Sequence, residues 1–362
     1  MRGLAKVEQS SVANPVLQLF CRSGGYLADL YSGTFKIDDI HSADVALANK
    51  VPSTSFTAAH KLGTGRYVVP TGATSSWNYG THRATCTYKM ENGGPDFIQV
   101  IDFEVLDAAD WASGASYVGY LSTRRAWQDS FAASTVAVAT LHRQIAEVSR
   151  RIEAWTGRWF EPRYLKVKKT GKSDPVLILN QPVIALEDIY AVWQTTTGTD
   201  TYKYEQYLYK VYNRHLDGFM EEDDRVFPKI ELTDVDGSVV EVSDFAWPYG
   251  NQNIELRGIF GWTDPEFDPN NSQVLVGQTP LDIGRACGVL VARMNEDPTM
   301  TSTMTWSPSS VRSIRTRDQS ITFGGSGGGS SSSSGGSSEP SGDALVDAIL
   351  IKYCTPMAVG GV

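Results

Sequence analysis

The chain has 362 residues, 41% of them hydrophobic, which is enough for two domains with sizeable cores and too apolar for a disordered chain. Its formal charge of −9 argues against a protein built to grip nucleic acid, although an acidic surface suits DNA that must slide past. No run approaches the ~18 apolar residues of a membrane span, and the start, Met-Arg-Gly-Leu-Ala-Lys-Val, lacks the apolar core of a signal peptide, so neither membrane insertion nor export by the usual route is expected.

Residues 1–13 read as a polar arm. Residues 14–107 read as all-β, with strand-like runs at Pro15–Arg22, Arg66–Val69, His82–Met90 and Phe97–Val105. The run His82–Met90 alternates, placing Ala84, Cys86, Tyr88 and Met90 on one face and Arg83, Thr85, Thr87 and Lys89 on the other. A sheet with one apolar face needs a second layer, so a β-sandwich, immunoglobulin-like, is expected. The antibody-type Cys…Trp…Cys spacing is absent, because Trp77 lies only a few residues before Cys86. Glu91-Asn92-Gly93-Gly94-Pro95 suits a hairpin turn.

Cys21, Cys86, Cys287 and Cys354 form no Cys-x-x-Cys and no Cys/His metal spacing. For Cys86 a buried thiol is the plainer reading. A Cys21–Cys86 bridge across the sandwich is the alternative, and it would need an oxidising compartment.

Residues 108–120 form a small-residue linker with helical potential. Helical patterns follow at Ser122–Ala133 and Thr135–Thr156. In the second, Val138, Leu141, Ile145, Val148, Ile152 and Trp155 make one apolar stripe. Ser134 can cap its start, and Gly157 suits the left-handed residue past its end. Trp159, Phe160 and Pro162 carry an apolar exit. A β-rich stretch, about 163–262, contains Val176–Leu179, Ala185–Thr195, Tyr202–Tyr212, Lys229–Val242 and Asn253–Gly261. A helix is expected from Pro280 to about Asn295, capped by Thr279, with a stripe of Leu281, Ile283, Ala286, Leu290 and Met294. Residues 311–323 read as an extended arm and 324–338 as a Gly/Ser-rich loop. Asp343 caps a last helix, Ala344–Tyr353, within a C-terminal segment 343–356.

Chemical motifs are thin. Gly324, Ser326 and Gly328 match Gly-x-Ser-x-Gly, but no strand–turn–helix surrounds them. The five histidines show no metal spacing, and His142 is expected at the surface or an interface. The run Glu221-Glu222-Asp223-Asp224 reads as a solvated loop, or as a docking point for a basic segment. Asp234-Val235-Asp236-Gly237 reads as a turn. Phosphate-cradling and dinucleotide-binding glycine patterns are absent. No catalytic residue, cofactor or metal is expected.

Charge is unevenly spread. Leu121–Lys172 holds eleven Lys/Arg against four Asp/Glu, a balance of +7, so the remainder carries −16. A basic segment on an acidic body suits copies or partners that meet through opposite charges, although solvated helix faces would read the same way.

Four motifs, in order, resemble the head–tail connector (adaptor) proteins of tailed bacteriophages: Ile145–Phe160 with its Thr-Gly-Arg-x-Phe exit; Leu177-Ile-Leu-Asn-Gln-Pro-Val-Ile-Ala-Leu186; Gly258-Ile-Phe-Gly-Trp262 ahead of Thr279-Pro280; and Val311–Phe323, a loop, then a helix ending Tyr353-Cys-Thr-Pro356. The match covers roughly residues 117–362. The long β-rich insertion from about Glu187 to just before Phe260 and the N-terminal β-domain depart from the pattern.

The resemblance implies a helical-bundle connector domain, 121–362, with a β-rich insertion, in an α+β multidomain chain. It implies a non-enzymatic virion protein forming a homo-oligomeric ring, usually of twelve, in the neck under the portal. The ring would touch a downstream neck or tail-completion protein and pass double-stranded DNA without sequence-specific binding. Assembly would occur in the host cytoplasm. The arm would pack on a neighbouring subunit and the segment Lys352–Val362 on the portal. Candidate subunit or portal contacts are Arg143, Arg150, Arg151 and Arg158 on the helix, Arg312, Arg315, Arg317 and Phe323 on the arm, and Tyr353 and Pro356 at the end. Rival readings are a carbohydrate- or receptor-binding protein acting through the N-terminal sandwich, and a cell-wall hydrolase, which no motif supports.

Overall fold

The alternation at His82–Met90 becomes strand Gly80–Lys89, with Ala84, Cys86 and Tyr88 buried and Arg83, Thr85, Thr87 and Lys89 partly exposed. The computed structural model describes residues 5–8, 17–23, 25–40, 48–106, 119–128, 136–195, 198–212, 225, 227–233, 246–264, 277–296, 313–315, 320–322 and 343–354. The N-terminal strands are β1 (Ala5–Glu8), β2 (Gln18–Phe20), β3 (Arg22–Ser23), β4 (Tyr26–Leu27), β5 (Ser32–Asp39), β6 (Ala48–Ser55), β7 (Lys61–Gly63), β8 (Arg66–Val68), β9 (Gly80–Lys89) and β10 (Phe97–Leu106). They build a five-stranded sheet, β1-β10-β9-β5-β6, and a three-stranded sheet, β2-β8-β7. Leu19 and Tyr67 from the smaller sheet, with Val69 just past it, share a buried cluster with Phe35, Ile37, Cys86 and Phe103 from the larger. This is a two-layer sandwich. Cys21 and Cys86 lie in that cluster as free thiols, so the bridged alternative is not formed.

The β-rich stretch supplies β11 (Arg163–Gly171), β12 (Val176–Ile178), β13 (Val183–Thr195), β14 (Gly198–Tyr204), β15 (Tyr209–Val211), β16 (Lys229–Leu232) and β17 (Gly250–Phe260). One sheet runs β11-β17-β13-β4-β3, with β14 on β13; the other runs β12-β16-β15. Their shared core holds Leu177, Tyr209 and Ile230 from the small sheet against Leu186, Ile189, Leu256 and Phe260 from the large. The hairpin β3–β4 belongs to the N-terminal stretch by sequence but joins this second sheet, through a parallel contact of Tyr26 with Leu186.

The described residues form four α-helices: α1 (Thr123–Gln128), α2 (Val138–Thr156), α3 (Leu281–Glu296) and α4 (Ala344–Tyr353). The α2 stripe of Leu141, Ile145, Val148, Ile152 and Trp155 packs on Ile283, Ala286 and Leu290 of α3 and on Val346 and Leu350 of α4. Burying one such side chain contributes about 1.5–3 kcal/mol. Gly157 ends α2 at φ 67°, in the left-handed region. Ala137 occupies the position before the first turn, so Ser134, outside the described residues, is not the cap. Leu281 departs from its expected stripe and is 61% exposed. Asp343 does cap α4, accepting from the Leu345 and Val346 amides at 2.8 and 3.1 Å.

The expected helical-bundle connector domain is not what the chain forms. Strands dominate, because β11, β13 and β17 pair along most of their lengths and make a layer larger than the helical cluster beside it. The stretch read as an insertion is therefore the main body of this half. Within the stretch read as an arm, β18 (Ser313–Arg315) pairs antiparallel with β19 (Ser320–Thr322), with Ile314 opposite Ile321. The Gly/Ser-rich loop, the linker 108–118, the run Glu221–Asp224 and Asp234–Gly237 lie outside the described residues.

Candidate assembly interface

With the α2 stripe turned inward, the opposite face must carry its basic residues. Arg143 and Arg150, seven residues apart, are exposed, and the partly buried Arg151 pairs with Glu147 one turn earlier. Arg158 departs from the expected surface role. Past Gly157 the chain turns inward, and Arg158 is 1% exposed. Its Nη1 donates to the Asn180 carbonyl at 3.1 Å, and its guanidinium lies 5.3 Å from the Trp262 ring centre. Arg225 stacks on the same ring at 4.8 Å.

The motifs behind the connector resemblance meet around these residues. Trp262 donates its amide to the Trp159 carbonyl at 2.6 Å. Gln181 Nε2 donates to the Gly157 carbonyl at 2.8 Å, and the Trp159 amide donates to Gln181 Oε1 at 3.2 Å. The Tyr353 ring stands edge-on to Phe160 and Trp262, with centres 5.2 and 5.3 Å away. Its hydroxyl donates to Asp282 Oδ1 at 2.6 Å. Burial and that acidic partner push the phenol well above its ordinary range, so it stays a donor. Tyr353 is thus 3% exposed and an internal anchor, not the surface contact expected. Lys352, beside it, is exposed and reaches Asp282 Oδ2 at 3.2 Å. Of the arm residues, Arg315 lies on β18; Arg312, Arg317, Phe323 and Pro356 lie outside the described residues.

A second polar centre joins the N-terminal sandwich to the helices. Glu104 on β10 is fully buried and accepts from Thr81 Oγ1 (2.7 Å), Thr123 N (3.2 Å) and Thr123 Oγ1 (3.0 Å). His142 Nε2 on α2 lies 2.8 Å from its Oε2. His142 is 1% exposed, so the surface or interface role expected of it is not found. Arg124 Nη1 adds a bond at 2.5 Å to the Ile40 carbonyl. Nothing in the spacing of Glu104 and His142 announces this pairing.

On the second sandwich, β11 is an end strand carrying Lys166, Lys168 and Lys169. A cavity of about 320 Å³ lies beside it, lined by Trp159, Val167, Leu179 and Phe260, with Lys168 and Lys169 at its polar side. Lys169 Nζ donates to Asn180 Oδ1 at 2.7 Å, and burial lowers its pKa. Tyr31 and Tyr79 are exposed at opposite ends of β9, and Trp77 is buried and stacked on His82 at 5.1 Å. Among the described residues, no group of three or more His, Cys, Asp or Glu could hold a metal, and no helix is long and apolar enough to cross a membrane.

No family model matches the chain, and no curated protein matches it. Among solved structures, a chain described as "Neck of empty GTA particle computed with C6 symmetry" is similar over 65% of this chain and 89% of its own length, with 14% identity and a TM-score of 0.35. Similarity of that degree does not establish a shared fold.

Proposed function

We propose that the chain is a structural, non-enzymatic virion protein that assembles as a ring in the neck, between portal and tail, and extends the DNA channel. The carrying observation is spatial. Motifs far apart in sequence, Gly157–Phe160, Asn180-Gln181, Gly261-Trp262 and Tyr353, form one packed and hydrogen-bonded cluster. Their order is what resembles the connector family, and their convergence makes them one structural unit. The reading does not require a helical bundle.

In this reading the ring holds twelve copies, as the resemblance implies. Each copy offers the exposed Arg143 and Arg150 face to a neighbour or to the portal. Fixing of α4 through Tyr353 and Asp282 sets where the final residues leave the body, which suits a C-terminal segment that docks on the portal. A basic segment on an acidic chain suits a repeated head-to-tail contact. Duplex DNA passes through without sequence-specific contact, and a downstream neck or tail-completion protein binds the far side. The test is Arg143→Glu with Arg150→Glu. The monomer should melt as the parent does while ring formation with portal fails; intact rings would refute the assigned face.

A further inference from the structure

Strand β11 pairs with β17 on one side, from Arg163 opposite Phe260 to Gly171 opposite Gly250, and with no strand on the other among the described residues. Along this edge every second residue turns its backbone N–H and C=O away from β17, and such a row is a template for another strand. Lysines commonly blunt such edges, and Lys166, Lys168 and Lys169 would do so here. The adjoining cavity asks for more than blunting. It lies at the seam of the two facing sheets, where β11 meets Leu179, just past β12. Its volume fits a large side chain; Trp159, Val167, Leu179 and Phe260 give it an apolar wall, and Lys168, Lys169, Asn180 and Gln181 a polar one. Successive side chains of an added strand point to opposite faces, so every second one would enter this seam. At the rim, the Lys169 ammonium is met by a neutral amide, Asn180 Oδ1, which a carboxylate would outmatch.

We infer that this edge and cavity receive an extended, acidic segment of a second copy, added as a strand along β11 with an apolar side chain in the cavity. The inference rests on the proposed self-assembly and names one of its contacts. Charge selects the occupant: Leu121–Lys172 carries +7 and the rest of the chain −16. The acidic run Glu221-Glu222-Asp223-Asp224 is flanked by Phe219-Met220 and Val226-Phe227, which supplies apolar anchors at both ends. Phe227 is 69% exposed, and Arg225 is pinned by Nη1 to the Thr263 carbonyl at 2.8 Å, so the run joins the body at a fixed point. A basic edge on one copy and an acidic segment on the next make a heterologous contact, the kind that closes rings.

The experiment is Lys168→p-benzoylphenylalanine in the full chain, irradiated as an equal mixture of ¹⁵N-labelled and unlabelled protein with portal present, and mapped by mass spectrometry. Mixed-isotope crosslinks to residues 219–227 are expected. They should fall at least tenfold with Lys166→Glu, or with Glu222→Lys should the first variant melt early. Crosslinks confined to one chain, to portal, or to other segments of a second copy overturn the inference. Sedimentation of the same sample separates the two claims. Oligomers without the mixed crosslink sink only this contact, whereas a chain that stays monomeric sinks the proposed function with it.

Discussion

Glu104 and His142 meet at 2.8 Å across the junction of the N-terminal sandwich and helix α2, with side chains 0% and 1% exposed. Both are buried, and Glu104 also accepts from Thr81 and Thr123. Removing one partner strips a buried polar group of a hydrogen bond and costs about 1–3 kcal/mol. Glu104→Ala and His142→Ala should each destabilise by that order in urea unfolding. The double variant should cost clearly less than the two losses combined. Additive losses would show that the pair is not coupled.

His82 gives a pH prediction. Burial lowers its pKa, outweighing the raising effects of the Gly80 carbonyl, Asp39 and Glu104; Lys50 also lowers it. The folded state therefore resists a proton that the unfolded chain accepts below about pH 6.5. The contribution of neutral His82 is fully present above that pH and declines as pH falls toward the folded value. Stability profiles of the parent and His82→Gln should diverge across that window, with the parent falling more steeply. Parallel profiles would remove His82 as the cause.

Arg158 separates folding from assembly. Its removal would strand the Asn180 carbonyl and uncover one face of Trp262. Arg158→Ala should cost about 1–3 kcal/mol in thermal or urea melts. Arg143→Ala, on the exposed face, should stay within about 0.5 kcal/mol. The opposite ranking would mean that the α2 exit is placed wrongly.

Gly261 tests the turn that joins β17 to the helical cluster. Its φ is 145°, and a Cβ there would stand 2.2 Å from the Glu161 carbonyl oxygen, itself backbone. Gly261→Ala combines a strained conformation with a clash that cannot rotate away, costing about 2–4 kcal/mol. A melt unchanged from the parent would contradict the close approach of Gly261 and Glu161.

Elements with a strong period were legible in the sequence. The α2 stripe, Gly157, the Asp343 cap and the alternation around Cys86 all fall as their spacing requires. What was not legible depends on partners distant in the chain. His142 has the sequence neighbours of a helix-surface residue; only the fold brings Glu104 to it. Arg158 continues a basic series by composition, but Gly157 redirects the backbone and buries it. The weight of the sheets was missed because the pairing of β11 with β17 joins residues about ninety apart, and no local pattern reports that. Of the candidate contact residues, the exposure of Arg143 and Arg150 was legible from helix periodicity.

The central claim is that this chain assembles with itself in the neck. Its most direct measurement is the mass of the purified chain, alone and mixed with portal, by sedimentation with negative-stain images of the same fractions. The account predicts closed rings at a single integer multiple of the chain mass, at the latest once portal is added. A chain that remains monomeric with portal present would contradict it.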